Sequence, residues 1–145
     1  MKLSTRSRYG VRLMYELARN YGKSPVILKE IARLQDISEK YLSKLIIPLK
    51  GAHLVNSSRG SHGGYSVARD PSSITLKEIV EILEGDITPV ECVKNPEVCT
   101  RTGGCPSRDI WCRLDRAISG FLEGITLDDL VKEGAEKAET FSYII

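Results

Sequence analysis

The sequence predicts a mainly α-helical chain that carries one small β-hairpin and, after it, a long C-terminal dimerisation helix. Three observations predict it: three helix-period segments precede a glycine-rich hairpin within the first 70 residues, positive charge is confined to that half, and four cysteines crowd the region that follows. With 145 residues, 41% of them hydrophobic, the chain is long enough to bury one substantial core. No stretch approaches the roughly 18 to 20 consecutive apolar residues of a membrane span. The start MKLSTRSRYG also lacks the apolar run of a signal peptide. The expectation is a soluble, cytoplasmic protein that contacts no membrane.

Residues 4–20 repeat Tyr9, Leu13, Leu17 and Val11, Met14, Ala18 at helical spacing, with Ser4 or Thr5 as N-cap and Tyr21-Gly22 as terminator. A second helix is expected over 28–34, with Ile31, Ala32 and Leu34 near one side and Lys29, Glu30 and Arg33 in water. Gln35-Asp36-Ile37 makes a turn. Ser38 then caps a third helix, 39–49, that turns Tyr41, Leu42, Leu45 and Ile46 inward, and Pro48 is expected to bend or end it. Strands are expected over 54–57 and 65–68, joined by Ser58-Arg59-Gly60-Ser61-His62-Gly63-Gly64. Further helices follow over 73–83, 107–122 and, as a short final element, 127–139, with a loop at 85–106 between the first two. On this reading residues 1–84, 85–106 and 107–145 form three regions.

Three helices followed by a hairpin, in this order and size, describe a winged helix-turn-helix, in which the third helix suits a major groove and the hairpin suits phosphates or the adjacent minor groove. The charge agrees. Residues 1–70 hold 13 Lys and Arg against 5 Asp and Glu, whereas residues 71–145 hold 8 against 14. Only the first half is built to meet a polyanion. Once the apolar residues of the third helix are turned inward, Ser38, Glu39, Lys40, Ser43 and Lys44 remain to contact bases and phosphates. Arg59 and His62 belong to the wing tip, and Arg6, Arg8 and Tyr9 stand near the positive end of the first helix. The competing account is a small helical domain with polar faces that binds protein.

Cys92, Cys99, Cys105 and Cys112 fall within 21 consecutive residues, spaced C-x6-C-x5-C-x6-C. Zinc sites present paired C-x2–4-C knuckles, and none is present. Thiolates spread along a loop suit an iron-sulfur cluster, and Arg101 and Arg108 nearby favour the thiolate form. The alternatives are buried or reversibly oxidised thiols and, for Cys112 beside Trp111, simple packing. With no C-x-x-C and no nucleophile-base pairing, a thiol redox enzyme or electron carrier is the remotest reading, and the chain is expected to be no enzyme. Trp111, Ile118 and Phe121 form an apolar stripe that reads as a dimer core.

The start Met1 to Gly10, the segment from Ile31-Ala32 to Leu45, and above all the wing Ser58 to Arg69 resemble the Rrf-two superfamily of bacterial transcription regulators, with its IscR-, NsrR- and CymR-like branches. The resemblance covers nearly the whole chain. It implies a homodimer joined by a long C-terminal helix that binds a palindromic double-stranded DNA operator, in the simplest case as a repressor. It also implies that Cys92, Cys99 and Cys105 ligate an iron-sulfur cluster, 2Fe-2S before 4Fe-4S, that senses redox state, nitric oxide or cluster supply. The fourth ligand departs from the pattern: Arg108 stands where the IscR-type histidine would fall and Arg8 where other relatives carry an acid, leaving Cys112 as the candidate. The cluster-free branch implies instead a signal carried by a partner protein or by thiol oxidation.

Overall fold

Helix α1 (Thr5–Arg19) buries Leu13, Met14, Leu17 and Ala18 on one side and leaves Arg6, Arg8 and Arg19 in solvent. The structure, a computed structural model, describes residues 2–144. Gly10 faces helix α4 (Leu76–Glu84) closely: a Cβ there would lie 2.0 Å from Cδ1 of Leu83, itself only 2% exposed. A larger residue would separate the two helices.

Helix α2 (Leu28–Gln35) closes on Asp36 in the left-handed conformation (φ 51°, ψ 51°), which reverses the chain toward helix α3 (Glu39–Gly51). Ser38 caps α3 as expected, its hydroxyl accepting from the Tyr41 amide at 3.1 Å. Proline does not end the helix. α3 runs three residues past Pro48, because the ring removes only one backbone bond while Leu45, Ile46 and Leu49, each at most 3% exposed, hold both sides of it in the core.

A buried carboxylate joins the first two helices. Glu16 is 2% exposed, and it accepts from Arg19 at 3.0 Å and from the Gln35 side-chain amide. Gln35 in turn accepts from Nε of Arg12 at 2.8 Å, and Arg12 also donates to the Gln35 backbone carbonyl. A buried charge is tolerated only with such partners. Here they pin the end of α2, and hence the turn into α3, onto α1.

The wing is an antiparallel pair, β1 (Val55–Ser58) and β2 (Gly64–Val67), in register Val55 to Val67 and Ser57 to Tyr65. Each strand lies within one residue of its expected place. Val26 and Tyr65 exchange both backbone bonds at 2.8 Å, fastening the hairpin to the segment before α2.

Beyond the wing, a 3₁₀ turn occupies Pro71–Ser73 and α4 begins at Leu76, later than expected, because Thr75 and Glu78 form a reciprocal capping box. Thr126 and Asp129 cap helix α7 (Leu127–Ile144) in the same way, at 2.9 and 3.1 Å, and the two helix starts are bridged through Leu76 to Ile125 and Leu127 to Ile74. Leu127, fully buried, thus joins the core built by α1–α4. The final helix is not short: it is as long as helix α6 (Pro106–Glu123), 18 residues each, because no breaker follows Glu139 and helix propagates easily once nucleated. The cysteine region carries one further turn of helix, α5 (Glu91–Lys94), and a 3₁₀ turn, Pro96–Val98. No helix among the described residues is long and apolar enough to cross a membrane.

Glu84, at the end of α4, holds the start of the chain by accepting from the Ser4 amide and the Ser7 hydroxyl, each at 2.6 Å. The Ser7 hydroxyl, then Ser4, hold its carboxyl below the ordinary 4.5 of a glutamate. A depressed carboxyl contributes stability above its unfolded value, and that contribution is lost as pH falls through the folded value. Glu84→Gln is therefore expected to be less stable than the parent above about pH 5, with the gap closing as the solution is acidified. Urea unfolding across that range reads it.

Candidate nucleic-acid interface and cysteine loop

Leu42, Leu45, Ile46 and Leu49 take one side of α3 into the core, so Glu39, Lys40, Ser43 and Lys44 emerge together on the other. Ser43 donates to the Glu39 carbonyl at 3.0 Å, which leaves its oxygen free to accept outward. Ser38, engaged as an acceptor in the cap, keeps its O–H to donate. A bond of 3.2 Å between the Thr5 and Tyr41 hydroxyls sets the start of α1 beside the start of α3, and with it exposed Arg6 and Arg8. Tyr9 is half-buried instead. Its ring stands edge-on to Tyr41 at 5.8 Å, under the Arg12 guanidinium at 5.3 Å.

Arg59 and His62 are exposed at the wing tip. Lys50, which the sequence reading passed over, donates to the Ser57 hydroxyl at 2.9 Å and ties the last turn of α3 to β1. Arg69 braces the base of the wing through Glu78 at 2.5 Å and Ser73 at 3.2 Å. Helix, wing and α1 start are therefore held in fixed relation by side chains as well as by the core.

The loop leaves α4 at Gly85 and enters α6 at Pro106, so both of its ends belong to packed helices. Asp86, at its start, is held near 2 by Thr88 and Lys94. All four cysteines are free thiols: Cys99 is exposed, and Cys92, Cys105 and Cys112 are half-buried. Cys105 is the N-cap residue of α6, and its Sγ lies 3.1 Å from the Ser107 hydroxyl. That hydroxyl, then the Arg108 amide and to a lesser degree Arg101, lower its pKa. Arg108 donates from Nε to the Cys92 carbonyl at 3.1 Å, fastening α5 to the first turn of α6. Cys112 lies seven residues after Cys105, two turns on along the same face, a rise of about 10 Å. Among the described residues no three Cys, His, Asp or Glu side chains converge as a metal cage.

Residues 3–133 match the Rrf2 family, described as an iron-dependent transcriptional regulator. The chain belongs to the Rrf2 family of transcription regulators. It is 39% identical to the HTH-type transcriptional regulator CymR of Bacillus subtilis over 145 residues, the full length of both. It is 40% identical to the protein Rrf2 of Nitratidesulfovibrio vulgaris, covering 93% of this chain and 90% of that one. Among solved structures, B. subtilis CymR, called the global cysteine regulator, superposes with a TM-score of 0.79 over 92% of this chain and 98% of that one at 39% identity. IscR of T. potens gives 0.77 at 36% identity, over 94% and 90%. These relatives are transcription regulators rather than enzymes, and the winged-helix fold is theirs as well.

Proposed function

We propose that this Rrf2-family regulator is a cytoplasmic homodimer that represses by binding a palindromic operator, and that the state of its cysteine loop sets operator affinity. Residues Ser38, Glu39, Lys40, Ser43 and Lys44 enter the major groove. Arg59 and His62 follow the neighbouring minor groove or its phosphates, and Arg6, Arg8 and Tyr9 border the backbone. Dimerisation is supported by α6, which buries none of its residues in one protomer and leaves Ile110 54%, Trp111 38% and Phe121 68% exposed.

The observation that carries the sensing reading is the Arg108–Cys92 bond. It ties the loop, which leaves α4 at Gly85, to α6, the proposed dimer element. A change in the loop alters where α6 stands relative to α4, and so the spacing of the two recognition helices across the operator. The donor set fits an iron-sulfur cluster in kind, three soft thiols on one loop with a fourth at Cys112, and the family description is iron-dependent. Cys92, Cys99 and Cys105 would hold the cluster, which when bound supplies an oxidant- and nitric-oxide-labile crosslink. The chain's own part is to lower the pKa of the Cys105 thiol and to tie the Cys92 backbone to Arg108 of α6.

The second reading, direct thiol oxidation without a cluster, is favoured by the same lowered pKa of Cys105 and by the absence of a ready-made cage among the described residues. Anaerobic purification followed by iron and sulfide analysis and a visible spectrum separates them. Coloured protein with both elements supports the cluster. Colourless protein whose DNA affinity changes with peroxide supports the thiol reading. Colourless protein indifferent to oxidant would remove sensing by the loop altogether.

The recognition face has its own test. Lys44→Ala is expected to weaken all duplexes alike and to lower the slope of log affinity against log salt by about 2 for the dimer, one phosphate contact per protomer. Fluorescence anisotropy across a salt series measures it.

A further inference from the structure

We propose that Ile47 reads the 5-methyl group of a thymine in the major groove, one in each half-site, and is a sequence-specificity determinant of this regulator. The inference rests on α3 being the recognition helix. Residues 40, 43, 44 and 47 are spaced by three and four, so Lys40, Ser43, Lys44 and Ile47 share the outward face of that helix. Ile47 is 71% exposed, whereas Leu42, Leu45, Ile46 and Leu49 opposite are at most 3% exposed. The fold makes no use of it. Nor does helix propensity account for it, since a β-branched residue is a poorer choice than alanine on a solvated helix surface.

Its surroundings select the occupant. Ile47 is the one exposed large apolar side chain described on α3, and the same helix carries Lys44 three residues before it, Lys50 three after it and Lys40 two turns before it. The other exposed large apolar residues among those described belong to other parts of the chain: Leu3, Tyr21, Ile27 and Leu34 before α3, and Val98, α6 and the end of α7 after it. An apolar spot flanked by cations complements a polyanion that carries an isolated apolar group. In the major groove the thymine methyl is that group, because the other three bases present only donors and acceptors there. Removing one methyl contact should cost about fourfold in affinity, from about 0.8 kcal/mol per buried carbon, and the symmetric pair about fifteenfold.

The test uses the full-length dimer and a duplex selected from a random pool, with each thymine in turn replaced by deoxyuridine, which removes the methyl and keeps the hydrogen-bonding edge. The expected result is one symmetric thymine pair whose double replacement weakens the parent about fifteenfold. Ile47→Ala should bind the thymine and deoxyuridine duplexes equally, with unchanged thermal stability. Parent protein indifferent to every replacement, or Ile47→Ala keeping the sensitivity, would overturn the assignment. So would a changed oligomeric state in Ile47→Ala with base preference intact, which would make this a protein contact. A parent that selects no duplex would instead overturn the reading of α3 itself, and Ile47 with it.

Discussion

Gly64→Val is expected to detach the wing, lowering unfolding free energy by about 3 kcal/mol and operator affinity at least tenfold. Gly64 has φ +150°, and a Cβ there would lie 2.7 Å from both the carbonyl carbon and oxygen of Val26. Both obstacles are backbone, so no rotamer change relieves them. The same Val26 exchanges its two backbone bonds with Tyr65, the next residue, at 2.8 Å. Pushing β2 away from Val26 therefore breaks the bridge that fastens the hairpin, with Arg59 and His62 at its tip, to the segment before α2. Urea unfolding and anisotropy titration report the two losses separately. Full affinity in Gly64→Val would mean that the wing contributes nothing to DNA contact.

The cysteines carry the second large effect. On the proposed cluster reading, replacing Cys92, Cys99 and Cys105 together by serine is expected to abolish iron and sulfide in anaerobically prepared protein, because serine supplies no soft thiolate to the metal. The fold should survive, since none of the three is buried and all lie outside the hydrophobic core. Single replacement of Cys112 should shift the visible spectrum if it is the fourth thiol. An unchanged spectrum and lability would place it among the packing residues of α6. Calorimetry on the apo proteins shows that the chain is intact in each case.

Local pattern carried much of this architecture, and long-range contact carried the rest. Ser38 was legible as a cap because a hydroxyl before an amphipathic run has one common use, and the hairpin was legible from its glycines. The Thr75/Glu78 box is equally visible in spacing, yet apolar periodicity alone starts this helix at Ser73, three residues before Leu76. Pro48 set the expected end of α3 two residues short of Gly51, because the rule for proline in helices takes no account of the core residues that hold α3 together on both sides of it. Glu16 is not legible as buried: its spacing shows a charge with Arg19 within reach, and the partner that completes its burial, Gln35, lies nineteen residues away. Arg108 is the same kind of case within the candidate site. In sequence it is a departure from a ligand pattern, whereas in three dimensions it holds Cys92 against α6.

On the proposed reading the loop straps α4 to α6, and the central claim is that its state sets operator affinity. The direct measurement is operator affinity of anaerobically prepared dimer, by anisotropy at fixed salt, before and after treatment with a nitric oxide donor, peroxide or an iron chelator. The account predicts a change of at least tenfold, the size of an ordinary allosteric coupling, abolished in the triple cysteine variant. An affinity that is the same in every state of the loop, with DNA binding intact, would contradict it.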